Sequence, residues 1–304
     1  MNDRKPLDLT AFLCIAMLCA IWGGQQVLFK LSIEDIRPNM QIALRSCIGC
    51  LLLAVFMWRR GISLAIWRGP WKTGMAVGAL FALEWGMIGE GLKYTSASHM
   101  VVFLYTAPIF TALGLHYWRP DERLNWWQWA GVLICFGGIG LAFWGPSTQT
   151  PFSVSMLLGD FLGLGAGLLW AVTTVMIRCS GLARIAATQT TLYQLLGAGI
   201  GLLLACVVTG ESNIHWSPLL IASILAQGVV ISFFSLLIWF WLLRHYLASR
   251  VSIFTFMTPL IGVAFGVWLL NEPLHFDFIL GALMVMTGVI LVNLSPKQPR
   301  TQGS

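Results

Sequence analysis

The chain has 304 residues, of which 58% are hydrophobic and 10% charged, with a net charge of +6 at pH 7 and a mean hydropathy of +0.79. That balance lies outside the range of soluble globular domains and identifies a membrane protein. The excess of basic residues is explained by a bias toward one membrane surface, so nothing in it calls for nucleic acid.

A helix needs about 20 mostly apolar residues to cross a bilayer core. Ten segments qualify in chain order: 9–30, 38–58, 71–93, 96–118, 126–144, 155–178, 184–209, 218–243, 247–270 and 276–294. The first follows a polar stretch, Met1 to Asp8, and lacks an Ala-x-Ala cleavage site, so it reads as a retained span. The second carries Gln41 and Arg45, and the seventh Gln189 and Gln194, which implies burial against protein or water instead of lipid. The seven cysteines all fall in apolar runs and behave as small hydrophobes. Cys47 and Cys50 form a CxxC, but with no second pair or histidine nearby it lacks the pattern of a metal site.

Orientation follows from the basic residues. With the N-terminus cytoplasmic, the outside segments hold only Lys30, Arg37 and Lys93, and Arg45 lies in a span; the other Lys and Arg fall inside. Both termini are then cytoplasmic, in the plasma (inner) membrane.

An internal repeat runs through the chain. The stretch from Tyr94 to Gly138 contains Ala97, Ser98, Phe103, Pro108, a short hinge (Asp121, Glu122, Arg123, Leu124), Gly131 and Gly138. Ala248, Ser249, Phe254, Pro259, Glu272, Gly281 and Gly288 repeat it, at an offset of 151 up to the proline and 150 after the hinge. Earlier in each half Trp22 matches Trp170, Lys30 matches Arg178, Gln41 matches Gln189 and Gly49 matches Gly197, at an offset of 148. The halves divide as 1–146 and 147–304. Five spans per unit is an odd number, so the second unit enters the membrane from the opposite side. The expected fold is therefore all-α and polytopic, with two inverted five-helix repeats around a central cavity, the architecture of many secondary transporters.

Trp22-Gly23, Arg45, Tyr94-x-Ser96-Ala97-Ser98 leading to Pro108, and Glu122-Arg123-Leu124 before Gly131 resemble the EamA pattern of the drug/metabolite transporter superfamily. Trp170, Ala248-Ser249, Pro259, Glu272 and Gly281 resemble it in the second half, while Tyr193 stands where the first half has Arg45. Within that superfamily the chain is similar to YddG-type exporters of aromatic and other amino acids. The resemblance implies a basket of helices whose first, third, fourth, sixth, eighth and ninth spans surround the cavity, with the fifth and tenth outside it.

Arg45 and Glu84 are the sharpest candidates for substrate binding. At 1.5 Å per residue they lie about 10 Å and about 13 Å from the outer face, so they share a depth. A charge at mid-membrane costs about 2.5 to 3.5 kcal/mol on insertion scales, so each requires a partner or a wet cavity. They either bind a zwitterion's carboxylate and ammonium, or gate the outer side, or form a structural ion pair between the second and third spans. Trp22 and Trp170 suit aromatic walls for an amphiphilic solute, or an indole face for an ammonium; as packing or interfacial anchors they need no ligand. Gln26, Gln194 and Gln227 are buried amides that a helix or a ligand must satisfy. Tyr105 is a wall residue, and Pro108 and Pro259 are paired flexures.

Asp160, Gly163, Gly167, Ala171 and Thr174 share one helical face suited to close packing, with Asp160 near the outer interface and hydrated. Glu90, Lys93 and His99 form a solvated rim at the outer face, or an outer gate or proton-linked site. The expected substrate-binding set is thus Trp22, Gln26, Arg45, Glu84, Tyr105, Trp170 and Gln227, with no metal, no cofactor and no catalytic residue. HExxH, G-x-S-x-G and a carboxylate pair at helical spacing are all missing, which argues against an intramembrane enzyme. The expectation is a monomeric exporter of small metabolites, amino acids above all, with cationic drugs as the alternative cargo.

Overall fold

The computed structural model describes residues 8–65, 69–118, 124–144, 154–246 and 257–294, and its regular elements are all helical. In order they are α1 (Leu9–Gly23), α2 (Gln25–Leu31), α3 (Pro38–Arg59), α4 (Trp71–Gly91), α5 (Ala97–Leu104), α6 (Ala107–Trp118), α7 (Trp126–Trp144), α8 (Val154–Arg178), α9 (Ala187–Thr209) and α10 (Pro218–Leu225). A π-helical segment (Ala226–Phe234) follows, then α11 (Ser235–His245), α12 (Met257–Leu270) and α13 (Phe276–Leu294). The hinge residues Asp121, Glu122 and Arg123, the repeat positions Ala248, Ser249, Arg250 and Phe254, and both termini lie outside the described residues.

Among the described residues, six stretches are long and apolar enough to cross a membrane: Leu9–Leu31, Pro38–Arg59, Ala97–Trp118, Val154–Arg178, Ala187–Thr209 and Pro218–Trp239. Trp126–Leu141, Met257–Leu270 and Phe276–Val292 are shorter apolar helices. α4, which carries Glu84 and Glu90, is helical over the predicted third span yet falls in neither group. The molecule is thus an all-helical polytopic membrane protein.

Two predicted spans are interrupted. Pro108 has no N–H to give Leu104 and its ring would clash there, so the fourth segment breaks just before it, at Tyr105 and Thr106. The Thr106 hydroxyl donates to Phe103 O at 2.6 Å and covers a carbonyl at the break. The eighth segment, expected to be continuous, widens into a π turn from Ala226 to Phe234 that includes Gln227; such turns concentrate at functional sites.

α7 and α13 occupy equivalent places in the repeat and pack against each other. Gly131 meets Gly288 while Gly138 meets Gly281, so the two helices run antiparallel about a local two-fold. A Cβ at Gly131 would sit 2.8 Å from Gly288 O, closer than real Cβ contacts come, so glycine is required there. The most extensive of the remaining contacts, among them α3 with α9, α4 with α8 and α9, α5 with α8 and α12, and α1 with α12, join one half to the other.

Polar ties mark two ends of the bundle. At one, Tyr246 donates to Asp8 at 2.9 Å and Gln189 Nε2 to Ser63 O at 2.9 Å. At the other, called distal here, His215 N donates to Asp35 O at 2.9 Å and Lys93 to Glu211 at 2.8 Å. Thr95 donates to Asp160, and Ser98 to Glu272, at that same end.

Candidate functional site

α2, α3 and α4 bring a buried charged group into an aromatic wall. Arg45, on α3, is 4% exposed. Its Nη1 donates to Gln25 Oε1 of α2 at 3.0 Å, and its guanidinium lies 3.9 Å from the Trp85 ring centroid and 5.4 Å from that of Phe29. Trp85 in turn meets Phe29 at 6.3 Å and Phe81 at 6.0 Å. A guanidinium is planar and weakly hydrated, so it stacks on an indole face where an ammonium would keep its water.

Glu84 precedes Trp85 on α4 and is also 4% exposed. It lies in the field of Arg45, but the two make no ion pair within 4.0 Å among the described residues. Arg45 Nε and Glu84 Oε2 are both buried without a hydrogen-bond partner. Of the readings open for these residues, the direct ion pair is therefore not what the geometry contains. A basic and an acidic side chain thus face one locality, each with unused hydrogen-bonding capacity, and unsatisfied buried polar atoms of this kind are rare without a reason.

Tyr105 and Trp170 pack against the same cluster as Trp85 and Phe29, and meet each other edge to face at 5.4 Å. The Tyr105 hydroxyl faces Thr258 of α12, whose own Oγ1 lacks a hydrogen bond of good geometry. Trp22 lies elsewhere, donating from Nε1 to Ser235 Oγ at 3.1 Å and packing against Trp239 at 5.5 Å. The repeat-related tryptophans therefore make no ring contact with each other. Each faces the other half through a different partner, because their surroundings are not symmetric in sequence.

The amides form a second polar group. Gln41 Nε2 donates to Ser223 Oγ at 2.8 Å, and Gln227 Nε2 donates to the same oxygen at 3.0 Å. Gln41 Oε1 accepts from Ser32 at 3.1 Å. Gln41 is thus satisfied by protein, as its burial requires, but Gln227 Oε1 and Gln26 Oε1 are buried without partners. Pro108 and Pro259 both sit in the first turn of a helix, α6 and α12.

Sequence reasoning missed the Trp85 and Phe29 platform and Gln25, the hydrogen-bond partner of Arg45. Adjacency to Glu84 was the one available signal for Trp85. It also placed Asp160 in a hydrated position. The structure buries Asp160, 4% exposed, where it accepts from Thr95 and pairs with His99 at 2.9 Å. Loop residues 93–96 fold over the start of α8 and remove it from water.

The EamA-like transporter family matches the chain twice, over residues 9–144 and 157–294. The uncharacterized transporter YoaV of Bacillus subtilis is 26% identical over 91% of this chain and 94% of its own length. An uncharacterized transporter of Archaeoglobus fulgidus is 27% identical over 94% of this chain and 98% of its own. The uncharacterized inner membrane transporter YedA of Escherichia coli is 25% identical, covering 97% and 93%. A crystal structure superposes with a TM-score of 0.64 at 17% identity, over 93% of this chain and 97% of that one, which establishes a shared fold. Helices, buried charges and family match converge: this chain belongs to the EamA-like transporter family and is a multi-pass integral membrane protein.

Proposed function

We propose that the protein is a secondary transporter that exports small zwitterionic metabolites, chiefly amino acids with aromatic or aliphatic side chains, across the inner membrane by alternating access. The observation that carries this reading is the pair Arg45 and Glu84, buried in one locality with no ion pair and with Nε and Oε2 unbonded. A carboxylate suits the guanidinium and an ammonium suits the carboxylate. Trp85, Phe29, Tyr105 and Trp170 supply apolar surface for the side chain. Ten spans in two inverted repeats, with both termini cytoplasmic, complete the proposal. It is supported by the antiparallel meeting of the repeat-equivalent helices α7 and α13 and by the alternation of polar ties between the two ends. Halves of this kind exchange roles to open either side.

The unbonded Oε2 of Glu84 also favours a second reading, export of lipophilic cations. One experiment separates the two. Purified protein in liposomes is loaded with radiolabelled tryptophan, leucine or a quaternary ammonium compound, and efflux is followed with chemical analysis of the released label. The first reading requires unmodified amino acid to leave and Glu84→Gln to stop it. Efflux of the cation alone selects the second, and a chemically altered product overturns both.

A further inference from the structure

Trp85 is 8% exposed, and its indole Nε1 is buried with no hydrogen-bond partner among the described residues. Buried N–H groups are almost always bonded, and Trp22 shows the ordinary outcome, its Nε1 donating to Ser235 Oγ at 3.1 Å. The rings packed against Trp85, Phe29 at 6.3 Å and Phe81 at 6.0 Å, offer it no oxygen. The guanidinium above it cannot accept either, because arginine is a donor only. A second idle donor lies against the first. Arg45 Cζ stands 3.9 Å over the centroid of the Trp85 ring, and Arg45 Nε, one bond from Cζ, is buried and also unbonded. Gln25 Oε1 takes Arg45 Nη1 at 3.0 Å, which fixes the guanidinium and leaves Nε open. Two buried N–H groups in touching side chains, neither used by the nearby Glu84, want an anion with two acceptor oxygens.

We propose that Trp85 is a binding residue as well as a wall: its Nε1–H and Arg45 Nε–H together hold the carboxylate of the cargo, one oxygen each. This rests on the reading of the cargo as a zwitterion and names the group that selects its acidic end. A carboxylate has two oxygens with lone pairs to spare, and its bond to a guanidinium is charge-assisted. Stacking on the indole holds the guanidinium in place before cargo arrives, so little further ordering is needed on binding. A site built around buried donors rejects an analogue that lacks the matching acceptor, because the donors then stay unpaired. Decarboxylated amines are therefore poor ligands here. What position 85 requires is an indole with its N–H, and an aromatic ring without one does only half of the task.

Phenylalanine brings no indole of its own and serves as the probe. It is titrated into the purified protein, labelled at its indole nitrogens and held in lipid nanodiscs, with the Trp85 resonance assigned by its absence in Trp85→Phe and Trp85→Tyr. A hydrogen bond to a carboxylate moves an indole proton downfield. The Trp85 signal is expected to move that way as phenylalanine saturates the site, and to stay in place with phenethylamine, which lacks the carboxylate. Trp85→Phe keeps a ring under Arg45 and deletes the N–H, so its Kd for phenylalanine is expected to rise about tenfold or more. Loss of a wall alone would weaken binding, but no wall moves the indole proton of the parent protein. Phenylalanine bound with the Trp85 resonance unmoved, an equal shift with phenethylamine, or parental affinity in Trp85→Phe overturns the role of Trp85 and leaves the zwitterion reading standing. Absence of phenylalanine binding to the parent protein overturns both.

Discussion

The guanidinium of Arg45 lies 3.9 Å above the ring of Trp85, the residue that follows the buried acid Glu84. One turn of α4 thus supplies both a resting place for the cation and an acidic side chain that makes no ion pair with it. Trp85→Phe keeps a π face, whereas Trp85→Ala removes it. A desolvated cation–π contact is worth about 2 kcal/mol, and truncating a buried aromatic costs about 3 to 5 kcal/mol. Trp85→Ala is expected to lower the thermal midpoint in detergent sharply, and Trp85→Phe only slightly, as read by tryptophan-independent light scattering.

Arg45→Gln and Glu84→Gln should each reduce flux of a zwitterionic amino acid. Hydrogen bonds to charged groups contribute about 1.5 to 3 kcal/mol, and 1.4 kcal/mol is tenfold. Efflux at low substrate concentration is therefore expected to fall by about ten- to a hundredfold in proteoliposomes. Wild-type flux in both variants would remove these residues from the site.

Gln227 gives a sharper separation of structure from function. It makes one hydrogen bond, to Ser223, while its Oε1 is buried without a partner. Gln227→Met forfeits a bond worth about 1 kcal/mol and relieves an unsatisfied acceptor of similar cost. The melting temperature should hardly move, yet flux should fall if the amide serves cargo. Unchanged flux with unchanged stability would mark Gln227 as a tolerated defect of the π turn.

Gly131 and Gly138 test the pairing of α7 with α13. A Cβ at Gly138 would lie 2.6 Å from Gly281 O. Overpacking of this kind costs about 1 to 3 kcal/mol, so Gly131→Val and Gly138→Val should both lower the melting temperature. Gly140 has open space, and Gly140→Ala should be neutral or stabilising.

Lys93 supplies a pH prediction outside the helices. Burial works against its charge, but hydrogen bonds from Lys93 to Glu211 and Glu90, with their charges, outweigh it and hold its pKa above the ordinary 10.5. Stability from a raised cation is fully present below the unfolded pKa and is lost as pH rises through the folded one. The tie to Glu90 at 2.6 Å and Glu211 at 2.8 Å should therefore persist through neutral and mildly alkaline conditions. Lys93→Gln should melt lower than the parent at neutral pH, with the gap closing only above about pH 10.5.

Periodicity and repetition were enough to read the helical class, the membrane setting and the family from the sequence, because burial in lipid demands long apolar runs and a duplicated unit repeats its glycines and prolines. Arg45 and Glu84 were legible for the same reason: a charge in an apolar run stands out. The break at Tyr105 was half legible, since Pro108 forbids a continuous helix but does not say where the chain bends. What surrounds each charge was decided only by tertiary structure. Trp85, Gln25 and Phe29 are ordinary residues of a membrane helix until α2, α3 and α4 converge on one guanidinium. Asp160 and His99 lie 61 positions apart and become a pair only because the start of α5 crosses the start of α8. Patterns along the chain record which face is apolar; the identity of a polar partner depends on distances between helices, which no local pattern encodes.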